Sequence, residues 1–175
     1  KYVITVVSDQ SNDRTDEIVN QIIEEGNYGN ASMLKLLVVK GRRGKTYAQN
    51  MAVRESSADI IAFSDANSKW NKDALIKMVH NFKKESVGYV CGKLAYMNEK
   101  EDLSSESEST YWNLDLKIRE IEDKVDNIVG GNGAIYCIRR SMYVELPDIL
   151  SHDGFMPTKM VINEHEAHFE KDAVA

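Results

Sequence analysis

The chain has 175 residues, 42% of them hydrophobic and 29% charged, which is enough for one soluble globular domain with a sizeable core. A net charge of −6 argues against a broad nucleic-acid surface, and no apolar run approaches the ~20 residues of a membrane-spanning helix. No signal peptide is visible, and Cys91 and Cys137 are too far apart for a CxxC pair, so both are expected to be buried, reduced thiols, as in a cytosolic setting.

Residues 2–8 are apolar and β-branched and predict a buried strand. "DRTDEIVNQIIEEG" predicts a helix with Ile18, Ile22 and Ile23 on one face, acids in its first turn and Gly26 as its C-cap. A second strand is expected at 34–39, a helix opening on Gly44, a third strand at 59–63, and a helix capped by Asn71. A long strand at 87–97 completes a β-α-β-α-β-α-β run, the pattern of a parallel sheet flanked by helices. Beyond it, 98–110 is polar and predicts a mobile loop. Residues 111–125 predict an amphipathic helix with Leu114, Ile118, Ile121 and Val125 on one face. "VGGNGAIYCIRR" predicts a Gly-rich turn into a short strand, "HDGFMPTKMVINE" a helix, and "AHFEKDAVA" a final strand. The chain starts directly in a strand, which suggests a piece of a longer protein.

In an open parallel sheet, ligands bind beyond the carboxyl ends of the strands. Three polar clusters fall there: "SDQSNDRT" (8–15), "GRRGKTYAQN" (41–50) and "SDANS" (64–68). Each admits a plainer reading: Asp9, Ser11 and Asp13 as helix caps, the Arg/Lys run as a solvated turn, Asp65 as a turn former. Together they favour a charged ligand. The Gly-rich basic loop suits phosphate oxygens, and Lys45 sits in the first turn of a helix, whose dipole favours an anion. Asp65 and Asn67 are hard oxygen donors suited to Mg²⁺ or Mn²⁺ that also carries phosphate oxygens.

The order "VVSDQSNDRT", "RRGKTYAQNMA", "FSDANS", "GGNGAIYCIRR", "HDGFMP", "AHFEKDAVA" resembles a bacterial family-two inverting glycosyltransferase of GT-A fold, over nearly the whole chain. The resemblance implies an α/β, Rossmann-like, mostly parallel sheet flanked by helices, in one domain over 1–175. Its nucleotide-binding half is 1–97 and its acceptor-side half 98–175. The family's first strand and following loop would precede residue 1. The implied activity is transfer of a sugar from a nucleotide diphosphate sugar, UDP-linked in most members, to an acceptor hydroxyl of a glycan or lipid-linked acceptor. The setting implied is cell-envelope glycan synthesis at the cytoplasmic face of the membrane. In that comparison Asp9, Ser11, Lys45 and Asp65 meet the nucleotide, and Asp65 and Asn67 hold the divalent metal. Gly131, Asn132 and Gly133 border the donor sugar and acceptor, and Asp153 is the general base.

Two positions depart from the family pattern. Asn67 replaces the second metal-binding Asp and binds a divalent ion more weakly. His152 replaces the first acid of the pair that ends in Asp153, and reads either as a surface His in a loop or as a functional residue. These departures keep a second class open, a non-catalytic nucleotide-sugar binding module. A Rossmann oxidoreductase is disfavoured, because no G-x-G-x-x-G follows the first strand. His80, His165 and His168 read as surface or packing residues, and Trp70, Tyr111 and Trp112 as core or interface. Strands left without the missing neighbour would expose edges that favour self-association.

Overall fold

The computed structural model describes residues 1–95 and 104–175, with side chains from residue 114 onward in the helix that opens at Ser104. The chain forms two compact units, Lys1–Ser57 with Glu145–Ser151, and Ala58–Val144 with His152–Ala175. Among the described residues, the strand that follows Ser57 pairs with a strand later in sequence and not with those before it.

The first unit contains β1 (Val3–Ser8), α1 (Thr15–Glu25), β2 (Met33–Val38) and α2 (Lys45–Arg54). β1 and β2 pair in parallel, Val3 opposite Met33 and Ser8 opposite Val38, as a β-α-β unit requires. α1 stops at Gly26, whose φ of 67° is the left-handed cap, with its N–H bonded to the Ile22 and Ile23 carbonyls. The expected burial of β1 is corrected: only Ser8 is buried, and Val3 is 49% exposed. Its first residues stay exposed, so the apolar pattern marks a strand and not its burial. On α1, Val19 is buried and Ile18 is exposed. α2 buries polar groups instead. Thr46 Oγ1 donates to the Leu150 carbonyl and Asn50 Nδ2 to the Leu146 carbonyl at 2.8 Å, and Arg54 pairs with Glu145. These bonds lay residues 145–151 along α2.

The second unit contains β3 (Ile60–Ser64), α3 (Ala74–Asn81), β4 (Val87–Lys93), α4 (Ser104–Val125), β5 (Ile135–Arg139), α5 (His152–Ile162) and β6 (Glu166–Val174). Its sheet has the order β3-β5-β4-β6, with β5 antiparallel to both neighbours and β6 parallel to β4. The α/β class expected from the sequence holds. Alternation along β5 divides the core. Ile135 and Cys137 pack with Ala74 and Met78 of α3 and with Phe82 just after it, and Trp70 joins that cluster. Tyr136 points to the other face, where it meets His152 of α5. Both cysteines are free and buried, and burial pushes the Cys91 thiol up to about 12.

Three local expectations change. The polar run expected as a loop at 98–110 lies outside the described residues up to 103, and from Ser104 it is helix. Its Ser/Glu alternation marked polarity correctly, but acids also suit the first turns of a helix. The side chains of Tyr111 and Trp112 lie outside the described residues. α3 begins behind Asp73, not Asn71; Asp73 pairs with Lys77 at 2.7 Å, and the Asn71 carbonyl accepts the Ala74 N–H.

The third change is in α4, whose apolar stripe faces outward. Leu114, Ile118, Ile121 and Val125 are exposed, whereas Arg119 is mostly buried. The helix is fastened by polar groups. Asp123 Oδ1 accepts the Phe169 N–H at 2.9 Å and the His168 ring at 2.8 Å, and His168 Nε2 meets Glu166 Oε2 at 2.9 Å. His168, expected as a surface or packing residue, is therefore held between two carboxylates.

Asp123 raises the His168 pKa most, against the opposing effect of burial, and Glu166 adds to it. Glu166 is held down to about 2, chiefly by Lys84 and His168. For Asp123 burial pushes up, but the bonds from His168 and Phe169 outweigh it and leave the pKa lowered. Both carboxylates thus stay ionised at neutral pH. Because the folded pKa of His168 is raised, its stabilisation is fully present below the unfolded value of about 6.5 and is lost as pH rises through the folded value. Thermal melts of wild type and His168→Gln should differ most at pH 6 and converge toward pH 9. A difference independent of pH would show that His168 acts by packing alone.

Candidate active site

In the first unit, the Asp9 carboxylate follows β1 and accepts two backbone bonds, from the Arg43 N–H at 2.9 Å and the Gly44 N–H at 2.8 Å. Gln10 Oε1 accepts the Gly41 N–H at 2.9 Å. The strand-end acid thus braces the basic Gly loop. Gly44, with φ 88°, turns the chain into α2 and places Lys45 as its first residue. Arg43 lies over the Tyr47 ring, 4.1 Å from its centre, and pairs with Asp148 at 3.0 Å. Ser11 bonds back to Ser8 Oγ. Asp13 Oδ1 accepts the Thr15 N–H at 3.0 Å, the capping role its position allowed.

In the second unit, Asp65 leaves β3 in a tight turn whose carbonyl accepts the Ser68 N–H at 3.1 Å. Asp65 is half-buried, and Asn67 is exposed in the same turn. Among the described residues no group of three His, Cys, Asp or Glu side chains stands ready for a metal. Asp65 and Asn67 supply two oxygen donors. That set fits a cation that takes its remaining ligands from water and substrate phosphates, and does not make a closed protein cage.

The glycine loop after α4 is firmly held. The Asn132 amide donates to the Gly92 carbonyl, and its Oδ1 accepts the Ala134 and Ile135 N–H groups at 3.1 and 3.0 Å. The Gly131 N–H donates to the Asp153 carbonyl at 2.8 Å. Thr158 Oγ1 donates to the Val129 carbonyl at 3.0 Å. A Cβ on Gly131 would stand 2.0 Å from the Tyr89 hydroxyl, so the loop tolerates no side chain there without movement.

His152 departs from its reading as a surface residue. It is 2% exposed and lies between two tyrosines, with Nδ1 3.0 Å from the Tyr136 hydroxyl and Nε2 3.1 Å from the Tyr143 hydroxyl. Phe63 stacks on Tyr136, and Tyr136 stacks on Tyr89, at centroid separations of 4.7 and 5.5 Å. His152 is drawn inward because it opens α5, where its ring can reach these hydroxyls on the β5 face of the sheet. Burial pushes the Tyr136 phenol well above its ordinary value, and Tyr143, Asp153 and Asp65 push it further. Sequence reasoning missed Tyr136, Tyr143 and Tyr89. The signal was the period-2 placement of Tyr136 within "AIYCI", which sets it opposite the α3-facing positions.

A family model described as glycosyl transferase family 2 matches residues 1–146. The chain belongs to that family. Among curated members, beta-monoglucosyldiacylglycerol synthase of Trichormus variabilis is 27% identical over 135 residues, covering 76% of this chain and 28% of its own length. Poly-beta-1,6-N-acetyl-D-glucosamine synthase of Staphylococcus aureus is 22% identical over 175 residues, covering 97% of this chain and 41% of its own. A solved mannosyltransferase from Pyrobaculum calidifontis, in complex with GDP-Man and Mn²⁺, superposes with a TM-score of 0.76 at 23% identity. It covers 98% of this chain and 46% of its own, and that likeness establishes the GT-A fold of the family here. This chain spans less than half the length of each of these relatives.

Proposed function

We propose that the domain moves a sugar from a nucleotide diphosphate sugar, UDP-linked, to an acceptor hydroxyl with inversion. The observation that carries this reading is the family 2 match over residues 1–146, joined to an Asp153 in the first turn of α5 whose carbonyl takes the Gly131 N–H of the glycine loop. Asp153 is the general base. Its carboxylate takes the proton of the acceptor hydroxyl as that oxygen bonds to the anomeric carbon, while the bond from that carbon to the diphosphate oxygen breaks. A single displacement inverts the anomeric centre.

Asp65 and Asn67 would hold a divalent cation, Mg²⁺ or Mn²⁺, which supplies charge neutralisation for the departing diphosphate. Asp9, Ser11 and Lys45 are assigned to the nucleotide, with Lys45 contributing positive charge at a helix start. Gly131, Asn132 and Gly133 border the donor sugar. The acceptor is a glycan or a lipid-linked hydroxyl in cell-envelope synthesis, with the parent protein at the cytoplasmic membrane face. The names of the two curated relatives, one a glycolipid and one a polysaccharide synthase, support that class. Among the described residues no helix is long and apolar enough to cross a membrane. Self-association through the open edges of β1 and β3 completes the reading. The neutral Asn67 favours a second reading, a nucleotide-sugar binding module without turnover, and hydrolysis or transfer of the donor by the full-length protein separates the two.

Calorimetry with UDP, and with GDP as comparison, in the presence of Mn²⁺ tests the donor assignment. UDP should bind in a Mn²⁺-dependent way, Asp65→Ala should lose that binding, and Asn67→Asp should tighten Mn²⁺. Equal UDP binding by wild type and Asp65→Ala would remove Asp65 from the site. Unchanged Mn²⁺ affinity in Asn67→Asp would place residue 67 outside the metal's shell.

A further inference from the structure

In an α-helix the N–H of residue 157 would bond to the carbonyl of residue 153. Residue 157 is a buried proline inside α5, so that N–H does not exist and its ring crowds the carbonyl four residues back. The Asp153 carbonyl is therefore open to a partner outside the helix, and it accepts the Gly131 N–H at 2.8 Å. Thr158, the next residue, ties the same loop at the Val129 carbonyl. The other side of this turn is pinned by the His152 ring between Tyr136 and Tyr143. Gly131 itself is pressed against Tyr89, whose buried hydroxyl has no hydrogen-bond partner among the described residues.

We propose that Pro157 is a positioning residue: by withholding an N–H it leaves the Asp153 carbonyl to Gly131, so that the glycine loop and the Asp153 residue form one coupled piece. The inference rests on the reading of Asp153 as the base and of residues 131–133 as the donor-sugar border. Its content is that the loop bordering the donor and the residue deprotonating the acceptor are set by one hydrogen bond. A donor sugar seated on the loop then fixes the backbone that carries the base.

Hydrogen exchange of the peptide containing Gly131, followed by mass spectrometry on the full-length protein, tests the coupling without any donor. In Pro157→Ala the new N–H competes for the Asp153 carbonyl. Exchange at Gly131 should accelerate about fivefold, the worth of roughly one net hydrogen bond. Met156→Ala opens a cavity at the neighbouring buried position of α5 without adding an N–H at 157, and should leave Gly131 protected. Equal acceleration in both variants, or none in Pro157→Ala, overturns the proposal. If Pro157→Ala does not fold, Thr158→Val, which removes the second tether, must accelerate exchange over 129–131, and unchanged exchange there overturns it as well.

With the donor that the full-length enzyme turns over, kcat of Pro157→Ala should fall about tenfold with donor KM within about twofold, because orientation is lost and not donor binding. A rise in KM alone overturns the positioning role. Asp153→Asn keeps the backbone carbonyl and so keeps Gly131 protected. Should that variant also keep its turnover, the base assignment fails while the coupling stands.

Discussion

With Asp153 as the proposed base, replacing it with Asn in the full-length protein should abolish transfer and spare donor binding. An acceptor hydroxyl is too weak a nucleophile to attack unaided, and an amide oxygen of similar shape cannot take its proton. The expected loss is roughly 10²–10⁴-fold in kcat, the usual worth of a positioned base, with donor KM unchanged. The substitution is nearly isosteric and leaves the Gly131–Asp153 backbone bond in place, so Tm should not move. The assay is steady-state transfer, or donor hydrolysis where no acceptor is supplied, alongside calorimetry with the nucleotide. Normal turnover in Asp153→Asn would place the base elsewhere in the chain.

The second large effect is expected at Gly131. An alanine Cβ there would lie 2.0 Å from the Tyr89 hydroxyl oxygen and 2.9 Å from the ring carbon that bears it. Tyr89 is fully buried and stacked on Tyr136, so its ring has no free space to enter. Gly131→Ala should destabilise the fold by about 1–3 kcal/mol, the range for overpacked cores, and lower kcat because the loop moves away from Asp153. Tyr89→Phe should be neutral or stabilising on its own, since it removes a buried hydroxyl without a partner among the described residues, a group that costs about 1–3 kcal/mol. In the double variant, Tyr89→Phe should recover part of the Gly131→Ala loss but not all of it, because the ring carbon remains. Denaturant melts of the four proteins give the coupling energy. Strict additivity would mean that the clash with Tyr89 is not what constrains residue 131.

Much of the fold was legible because local chemistry decides it. Gly26 and Gly44 sit at positive φ where helices end and begin, and β1, β2 and β3 lie within a residue of the expected bounds, while β4 stops at Lys93 instead of running on to the expected 97. What failed was burial. The run at 2–8 is as apolar as a core strand, yet of β1 only Ser8 is buried. The α4 stripe at Leu114, Ile118, Ile121 and Val125 has helical spacing, but spacing fixes only that the residues share a face. Which face turns inward is settled by Asp123, His168 and Glu166, residues far apart in the chain.

The same holds for the candidate site. Asp9 and Asp65 could be picked out because each follows a strand, and Asp153 through the family resemblance of "HDGFMP". Asp9 then proved to brace the backbone of the basic loop. His152 admitted a surface reading because its partners, Tyr143 and Tyr136, lie 9 and 16 positions away in the chain. Pro157 could be seen from the start, but its effect depends on where Gly131 stands, which no local pattern contains.

The Tyr136–His152–Tyr143 bridge also has a direction. A neutral imidazole donates from one nitrogen and accepts at the other, so the two hydroxyls cannot play the same part. When Nδ1 carries the hydrogen, Tyr136 receives it and keeps its own O–H to give to another partner, while Tyr143 spends its O–H on Nε2. In the other tautomer the assignments swap. The first arrangement leaves the Tyr136 O–H as a donor, and the second commits it to the imidazole. Moving one hydrogen across a buried ring thus reverses which tyrosine donates to it, with no heavy atom displaced.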